Sequence, residues 1–191
     1  MKIKYGISNV YYSVVTETVT SGVISYSYAT PVALPGAVSL SVDAEGGNNP
    51  FYADNIVYYE SFANNGYTGD LEIADIPASF RKDVLGEVAC QSKTLAEYAN
   101  VAPKQFALAF QVETDEGIPI YFWFYNCTAA RPTTTAATKE DAIDPQTDTI
   151  SITMRPRAKD ALVRLKSATN TQTSITNTWY SAVIEPIAST T

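Results

Sequence analysis

The 191-residue chain contains no histidine. Without an imidazole there is no Ser-His-Asp triad, no Cys-His dyad and no histidine ligand for a metal, which removes the commonest hydrolytic and metal-dependent chemistries as a class. Cysteine is nearly as scarce. Cys90 and Cys127 lie far outside the CxxC spacing of redox and zinc motifs, and no further ligands complete a site. Both read as free, partly buried thiols of a protein assembled in a reducing compartment. The serines have no nucleophile elbow and no base, and no glycine-rich phosphate loop occurs. No enzyme activity and no cofactor are expected. Positive charge is short as well: 13 Lys and Arg against 20 Asp and Glu leave a net charge of −7. That balance opposes a protein that grips nucleic acid by neutralising phosphates. Long apolar runs are missing too. The most apolar stretch, residues 118–125, is interrupted by Pro119 and falls short of the roughly 18 residues that suggest a membrane span. Lys2 and Lys4 precede no apolar run, so no secretory signal is read and the protein is expected to be soluble, away from membranes.

What is present is a globular composition, 46% hydrophobic and 12% aromatic, in a chain of the size of one domain. Periodicity reads as strands almost throughout. In residues 104–113, Phe106, Leu108, Phe110 and Val112 share one face while Gln105, Gln111 and Glu113 share the other, the pattern of a sheet with one wet side. Residues 149–155 repeat it with Ile150, Ile152 and Met154 inside. Residues 120–125 differ, because Ile120, Phe122 and Phe124 alternate with Tyr121, Trp123 and Tyr125. A strand apolar on both faces is covered on both, and the second cover is left open between a helix and another copy of the protein.

Further strands are expected at 9–16, 23–28, 37–42, 51–62 and 66–73, with Asn64-Asn65-Gly66 turning the last two into an antiparallel hairpin. One short helix begins at Pro77, presents Phe80 and Val84 on one face and stops at Gly86. Residues 43–51 read as a projecting acidic loop, and 131–146 as a second loop without a burial pattern. Asp43, Glu45, Asn48 and Asp54 offer oxygen ligands but fail the EF-hand spacing, and Glu113, Asp115 and Glu116 read as a solvated hairpin tip. The arm at 159–191 carries Trp179, Tyr180, Val183 and Ile184, side chains large enough to dock either on this subunit or on its neighbour. The residues alone describe a mainly β interaction protein: an antiparallel sandwich or partial barrel with one short flanking helix, in a single domain over 1–191.

Several segments resemble the major tail proteins of long-tailed phages, in particular the phi13-type group of phages of Gram-positive bacteria. They are Pro35-Gly36-Ala37-Val38-Ser39-Leu40, Phe51-Tyr52-Ala53-Asp54-Asn55, residues 64–73, Pro77-Ala78-Ser79-Phe80, Lys104-Gln105-Phe106-Ala107-Leu108, residues 125–132 and Lys139-Glu140. They occur in the same order, so the resemblance spans residues 1–157.

The resemblance implies a non-contractile tail-tube protein: homohexameric rings that stack into a hollow tube, which houses a tape-measure protein and conducts double-stranded DNA without binding it specifically. Tail terminator and baseplate proteins would be its further partners, and its place would be the virion tail, assembled in the host cytoplasm. On that reading the loop with Asp43, Glu45, Asn48, Asn49 and Phe51 stacks rings. Tyr121, Trp123, Tyr125, Trp179 and Tyr180 become subunit-interface residues, and Asp70 and Glu72, two apart on one face of a strand, become candidates for the lumen. The alternative from a different class is a sugar-binding or host-adhesion β-sandwich, with its aromatics in an exposed cleft.

Overall fold

The computed structural model describes residues 3–134, 136, 138, 146–168 and 170–187. Among them the chain is mainly β. The elements are β1 (Lys4–Thr20), β2 (Val23–Tyr28), β3 (Val32–Ala33), β4 (Ala37–Leu40), β5 (Asp43–Glu45), β6 (Asn48–Ala53), β7 (Ile56–Phe62), β8 (Gly66–Ile73), α1 (Ala78–Asp83), β9 (Val88–Ala89), β10 (Leu95–Ala96), β11 (Phe106–Thr114), β12 (Ile120–Ala129), β13 (Asp148–Met154), β14 (Arg164–Lys166) and α2 (Thr173–Thr176).

Ten strands form one antiparallel sheet in the order β2–β1–β11–β12–β13–β8–β4, with β3 added to β1, β5 to β8 and β14 to β12. β12 is the fork. One edge pairs with β11, while the other is divided between β14 at residues 122–124 and β13 at 127–129. The sheet curls there into an open barrel, a sandwich in section, and β4 returns beside β1.

The barrel interior is filled by alternating side chains. Leu71 and Ile73 of β8, Phe106, Leu108 and Phe110 of β11, and Ile150, Ile152 and Met154 of β13 are all buried in one core. α1 closes one end with Phe80, followed by Val84 and Leu85. Phe80 stands edge-on to Tyr12 and Phe106 at 5.1 and 5.5 Å. Tyr12 donates to Asp83 Oδ2 at 3.0 Å, which fixes strand to helix, and burial pushes its phenol up to about 12. Pro77 precedes the helix and Gly86 follows it at φ +79°, as the residue pattern predicts.

Three expectations are corrected here. First, the second face of β11 is dry: Ala107 and Ala109 are fully buried and Gln111 nearly so. Two small residues leave room beneath a cover, and the register sets Ala109 opposite Trp123. Second, that cover is neither a helix nor a neighbour. Trp123, Tyr125 and Trp179 form one core with Val15, Ala107 and Ala109, against which Tyr121, Tyr180, Val183 and Ile184 pack. Trp123 and Tyr125 are 0% exposed, so the residues assigned to subunit contacts are contacts between β12 and the chain's own C-terminal arm. Third, Asn64-Asn65-Gly66 does not join two paired strands. β8 pairs with β13, β4 and β5, whereas β7 pairs with β6. Gly66 instead lets β8 enter the sheet: at φ +108°, a Cβ there would lie 2.0 Å from the Met154 carbonyl oxygen.

Smaller differences follow. A second helix, α2, stands in the arm, Cys90 is exposed rather than partly buried, and Cys127 is fully buried. Of the 131–146 stretch, residues 135, 137 and 139–145 lie outside the described residues, and Thr133 bridges to Thr149.

The arm is held by polar groups as well as by its rings. Trp123 Nε1 donates to the Trp179 carbonyl at 3.2 Å, and Tyr180 donates to Gln111 Oε1 at 3.0 Å while stacking on Tyr11 at 4.6 Å. Tyr125 donates to the Ile184 carbonyl at 2.5 Å. Arg157, 3% exposed, lies 5.0 Å from the Tyr125 ring centroid. It donates to Tyr28 Oη at 2.9 Å, to Glu185 Oε1 at 2.6 Å and to Asp160 Oδ1 at 3.1 Å. Burial disfavours its charge, but these bonds outweigh that penalty and raise its pKa.

Candidate functional site

Residues 48–62 are the part of the chain that the barrel does not absorb. β5 runs along β8 as far as Gly66, and beyond it β6 and β7 pair only with each other, as a separate two-stranded ribbon. The expected loop is therefore largely strand. Asp54 and Asn55 close the ribbon with φ of 51° and 61°, the left-handed pair that a primed two-residue turn needs and that Asp and Asn tolerate. This turn splits the expected strand at 51–62 in two, and the Asp-Asn pair is its signal in the sequence.

Register assigns the ribbon's faces. Phe51 lies opposite Tyr59 and Tyr52 opposite Val57, with a bulge between the two pairs. The extra residue, Tyr58, is on β7, so alternation is kept on β6 and broken on β7: Phe51 and its partner Tyr59 lie on one face together with Ile56, the partner of Ala53. The other face carries Tyr52, Val57, Glu60 and Phe62. Both are exposed: Tyr58 is 72% and Phe62 78% accessible, with Phe51, Tyr52, Ile56, Val57 and Tyr59 each at 50% or more. A lone two-stranded ribbon is marginal in water, and apolar surface this concentrated marks a place where another molecule sits.

The oxygen ligands of the candidate cation site are spread along this excursion. Asp43 and Glu45 lie on β5, Asn48 begins β6 and bonds Glu60 across the ribbon, and Asp54 sits at the tip. Among the described residues no group of three or more Cys, Asp or Glu is arranged to hold a metal. At the other hairpin tip, Glu113 accepts from Ser8 Oγ at 2.9 Å and from Gln111 Nε2 at 2.8 Å, and Asp115 accepts from the Ile3 N–H at 3.0 Å. These acids tie strand ends together.

Asp70 and Glu72 occupy the outer face of β8, back to back with the buried Leu71 and Ile73. Their cross-strand partners on β13 are Ser151 and Thr149. Ser151 Oγ donates to Asp70 at 2.6 Å; Thr147 and Ser39 donate to Glu72 at 2.7 and 2.8 Å. The bonds from Thr147 and then Ser39 hold the Glu72 carboxyl below its ordinary range. The result is a wet face of hydroxyls and two carboxylates. No helix among the described residues is long and apolar enough to cross a membrane.

No protein-family model and no curated protein matches the chain. Among solved structures it is similar to a chain in the cryo-electron-microscopy structure of the anti-feeding prophage baseplate, six-fold symmetrised, at 8% sequence identity and a TM-score of 0.38, over 87% of this chain and 97% of that one.

Proposed function

We propose that this chain is the repeating subunit of a phage tail tube, assembling as hexameric rings that stack around a channel for the tape-measure protein and, later, the genome. The observation that carries the reading is the β6–β7 ribbon, apolar on both faces and paired with no other strand among the described residues. The resemblance of residues 1–157 to major tail proteins supplies the kind of partner: further copies of itself, with tail terminator and baseplate proteins at the ends. The stacking element in this reading is the whole excursion from Asp43 to the ribbon, including Glu45, Asn48, Asn49 and Phe51. It assembles in the host cytoplasm, resides in the virion tail, and has no reaction to catalyse and no cofactor to bind.

Charge fits a conduit. Six copies at −7 each give −42 per ring, facing DNA with one negative charge per roughly 1.7 Å of axis. A wall that attracts phosphates retards ejection, whereas hydroxyls interspersed with carboxylates, as around Asp70 and Glu72, let the duplex slide. The exposed Tyr52, Tyr58 and Tyr59 also suit a saccharide-stacking module, which is the second reading.

Sedimentation velocity and negative-stain microscopy of the purified full chain separate the two. Rings or tubes are expected. Replacing Phe51, Tyr59 and Phe62 together by serine should abolish them without lowering the melting temperature, because none of the three is in the core. A chain that stays monomeric at high concentration, with its tyrosines protected by oligosaccharide, would refute the tube.

A further inference from the structure

The barrel end opposite α1 is open. Its mouth encloses about 590 Å³, with Phe110, Phe122 and Phe124 as its floor and Leu40 and Val42 on its wall, a volume within the ~300–1,000 Å³ typical of sites that enclose a ligand-sized group. The rim is cationic, which is unusual on so acidic a chain. β14 places Lys166 opposite Phe122 and Arg164 opposite Phe124, so the two cations stand over the aromatic floor. Lys166 Nζ is 5.9 Å from the Phe122 ring centroid, and the Arg164 guanidinium is 4.9 Å from that of Tyr67. Lys4 completes the rim. Arg81, Arg131 and Arg157 are engaged by carboxylates elsewhere, whereas Arg164 and Lys166 have no ion-pair partner among the described residues.

The ribbon has the complementary character. Between Lys4 and Arg81 the chain has no Lys or Arg, so every charged side chain of the excursion is acidic: Asp43, Glu45, Asp54 and Glu60. Glu60 shares a ribbon face with Tyr52, Val57 and Phe62. That face therefore presents three large apolar groups around one carboxylate, and the mouth presents an apolar floor beneath two unpaired cations.

We propose that the barrel mouth is the receptor for the β6–β7 ribbon of a second copy. The Tyr52–Val57–Phe62 face seats on the phenylalanine floor, and Glu60 pairs with Lys166 and Arg164. The contact joins two different surfaces of the same chain, so it is heterologous and propagates into rings or stacks instead of ending at a dimer. The inference rests on the tube-subunit reading and identifies the partner surface that the reading leaves open. Apolar burial supplies the attraction, and the charges set register and exclude misdocked arrangements.

The test uses the full chain carrying Cys90→Ser, which removes its exposed thiol. Lys166→Cys protein and Glu60→Cys protein are prepared separately, mixed and oxidised. The expected product is a disulfide-linked heterodimer in excess of either homodimer, since only contact between copies brings position 60 of one to position 166 of another. In parallel, Lys166→Glu should weaken association by about tenfold or more, the range for truncating a close interfacial charge pair, and adding Glu60→Lys should recover most of the loss. Both positions are exposed, and unchanged melting temperatures would verify that the variants fold. Wild-type oligomers whose association is unmoved by Lys166→Glu, with no excess of heterodimer, overturn the receptor assignment while leaving the tube reading standing. A wild-type chain that never associates overturns the tube reading itself.

Discussion

Trp179→Ala would remove the side chain that closes the second core. The indole is 1% exposed, belongs to the cluster with Trp123, Tyr125, Ala107 and Ala109, and donates from Nε1 to the Phe122 carbonyl at 3.4 Å. Truncating a core aromatic to alanine costs about 3–5 kcal/mol, from lost transfer energy and the cavity left behind. A native domain holds roughly 5–15 kcal/mol in total, so the change removes a large part of the margin. For a domain of this size each kcal/mol lowers the melting temperature by about 2–4 °C, which places the fall near 6–20 °C.

The chain has two tryptophans, so the variant leaves Trp123 as sole indole reporter beneath the arm. Urea unfolding followed by indole emission and by far-ultraviolet circular dichroism then reports arm and sheet separately. If emission shifts to the red before the ellipticity falls, the arm lifts first; if the transitions coincide, arm and barrel unfold together. A variant that stays within about 1 kcal/mol of the wild type, a typical single-site effect, and keeps a blue Trp123 emission would show that the arm is not what covers β12. The aromatic face would then return to being a subunit contact.

Gly66→Ala should prevent folding or leave an insoluble chain, since the added Cβ would lie 2.0 Å from a backbone oxygen at a φ of +108°; soluble protein of wild-type stability would contradict this packing. Bonds from Arg157 hold the Asp160 carboxyl below its ordinary value, about 3.9. Its support for the arm is therefore complete above about pH 4 and is lost as the pH falls below that, so Trp emission should redden on acidification, and less so in Asp160→Asn. One thiol per native chain, that of the exposed Cys90, should react with a thiol reagent, and the buried Cys127, whose pKa burial raises, only after denaturation; two fast thiols would contradict the core. Replacing Asp70 and Glu72 together by lysine should leave tubes intact yet slow DNA release, and ejection at the wild-type rate from tails shown to carry both changes would remove these residues from the channel.

Much of the barrel was legible because alternation is a direct record of burial. Phe106, Leu108 and Phe110, then Ile150, Ile152 and Met154, line the core as their period predicts. Leu71 and Ile73 turn inward with Asp70 and Glu72 outward. The second face of β11 was misread because the polar residues at its ends, Gln105 and Glu113, outweighed the two alanines between them. Small residues on a face opposite large ones announce an overlying element, here Trp179 above Ala107 and Ala109. The ribbon was misread for a different reason. Tyrosine and β-branched residues favour strands whether buried or bare, so residues 51–62 say strand without saying what covers it, and the Asp54-Asn55 turn is a weaker signal than Asn-Gly. Pairing is non-local as well: β8 chooses β13, far along the chain, over the adjacent β7.

The division between arm and ribbon follows from where each finds its cover. The aromatic strand β12 would be an assembly surface if the chain stopped at β14, but the arm returns Trp179, Tyr180 and Ile184 to it and satisfies its polar atoms at the Phe122, Trp179 and Ile184 carbonyls. The protomer thus completes its own core, and its folding makes no demand on a neighbour. The ribbon adds nothing to that core, while its ordered pairing in isolation is marginal. In the proposed assembly its large apolar side chains would contribute their burial energy, about 1.5–3 kcal/mol each when fully covered, to association and not to folding. In the proposed tube a subunit built this way would fold first and assemble second, and the two steps would answer to different residues: Trp179 to one, and Val57, Glu60 and Phe62 to the other.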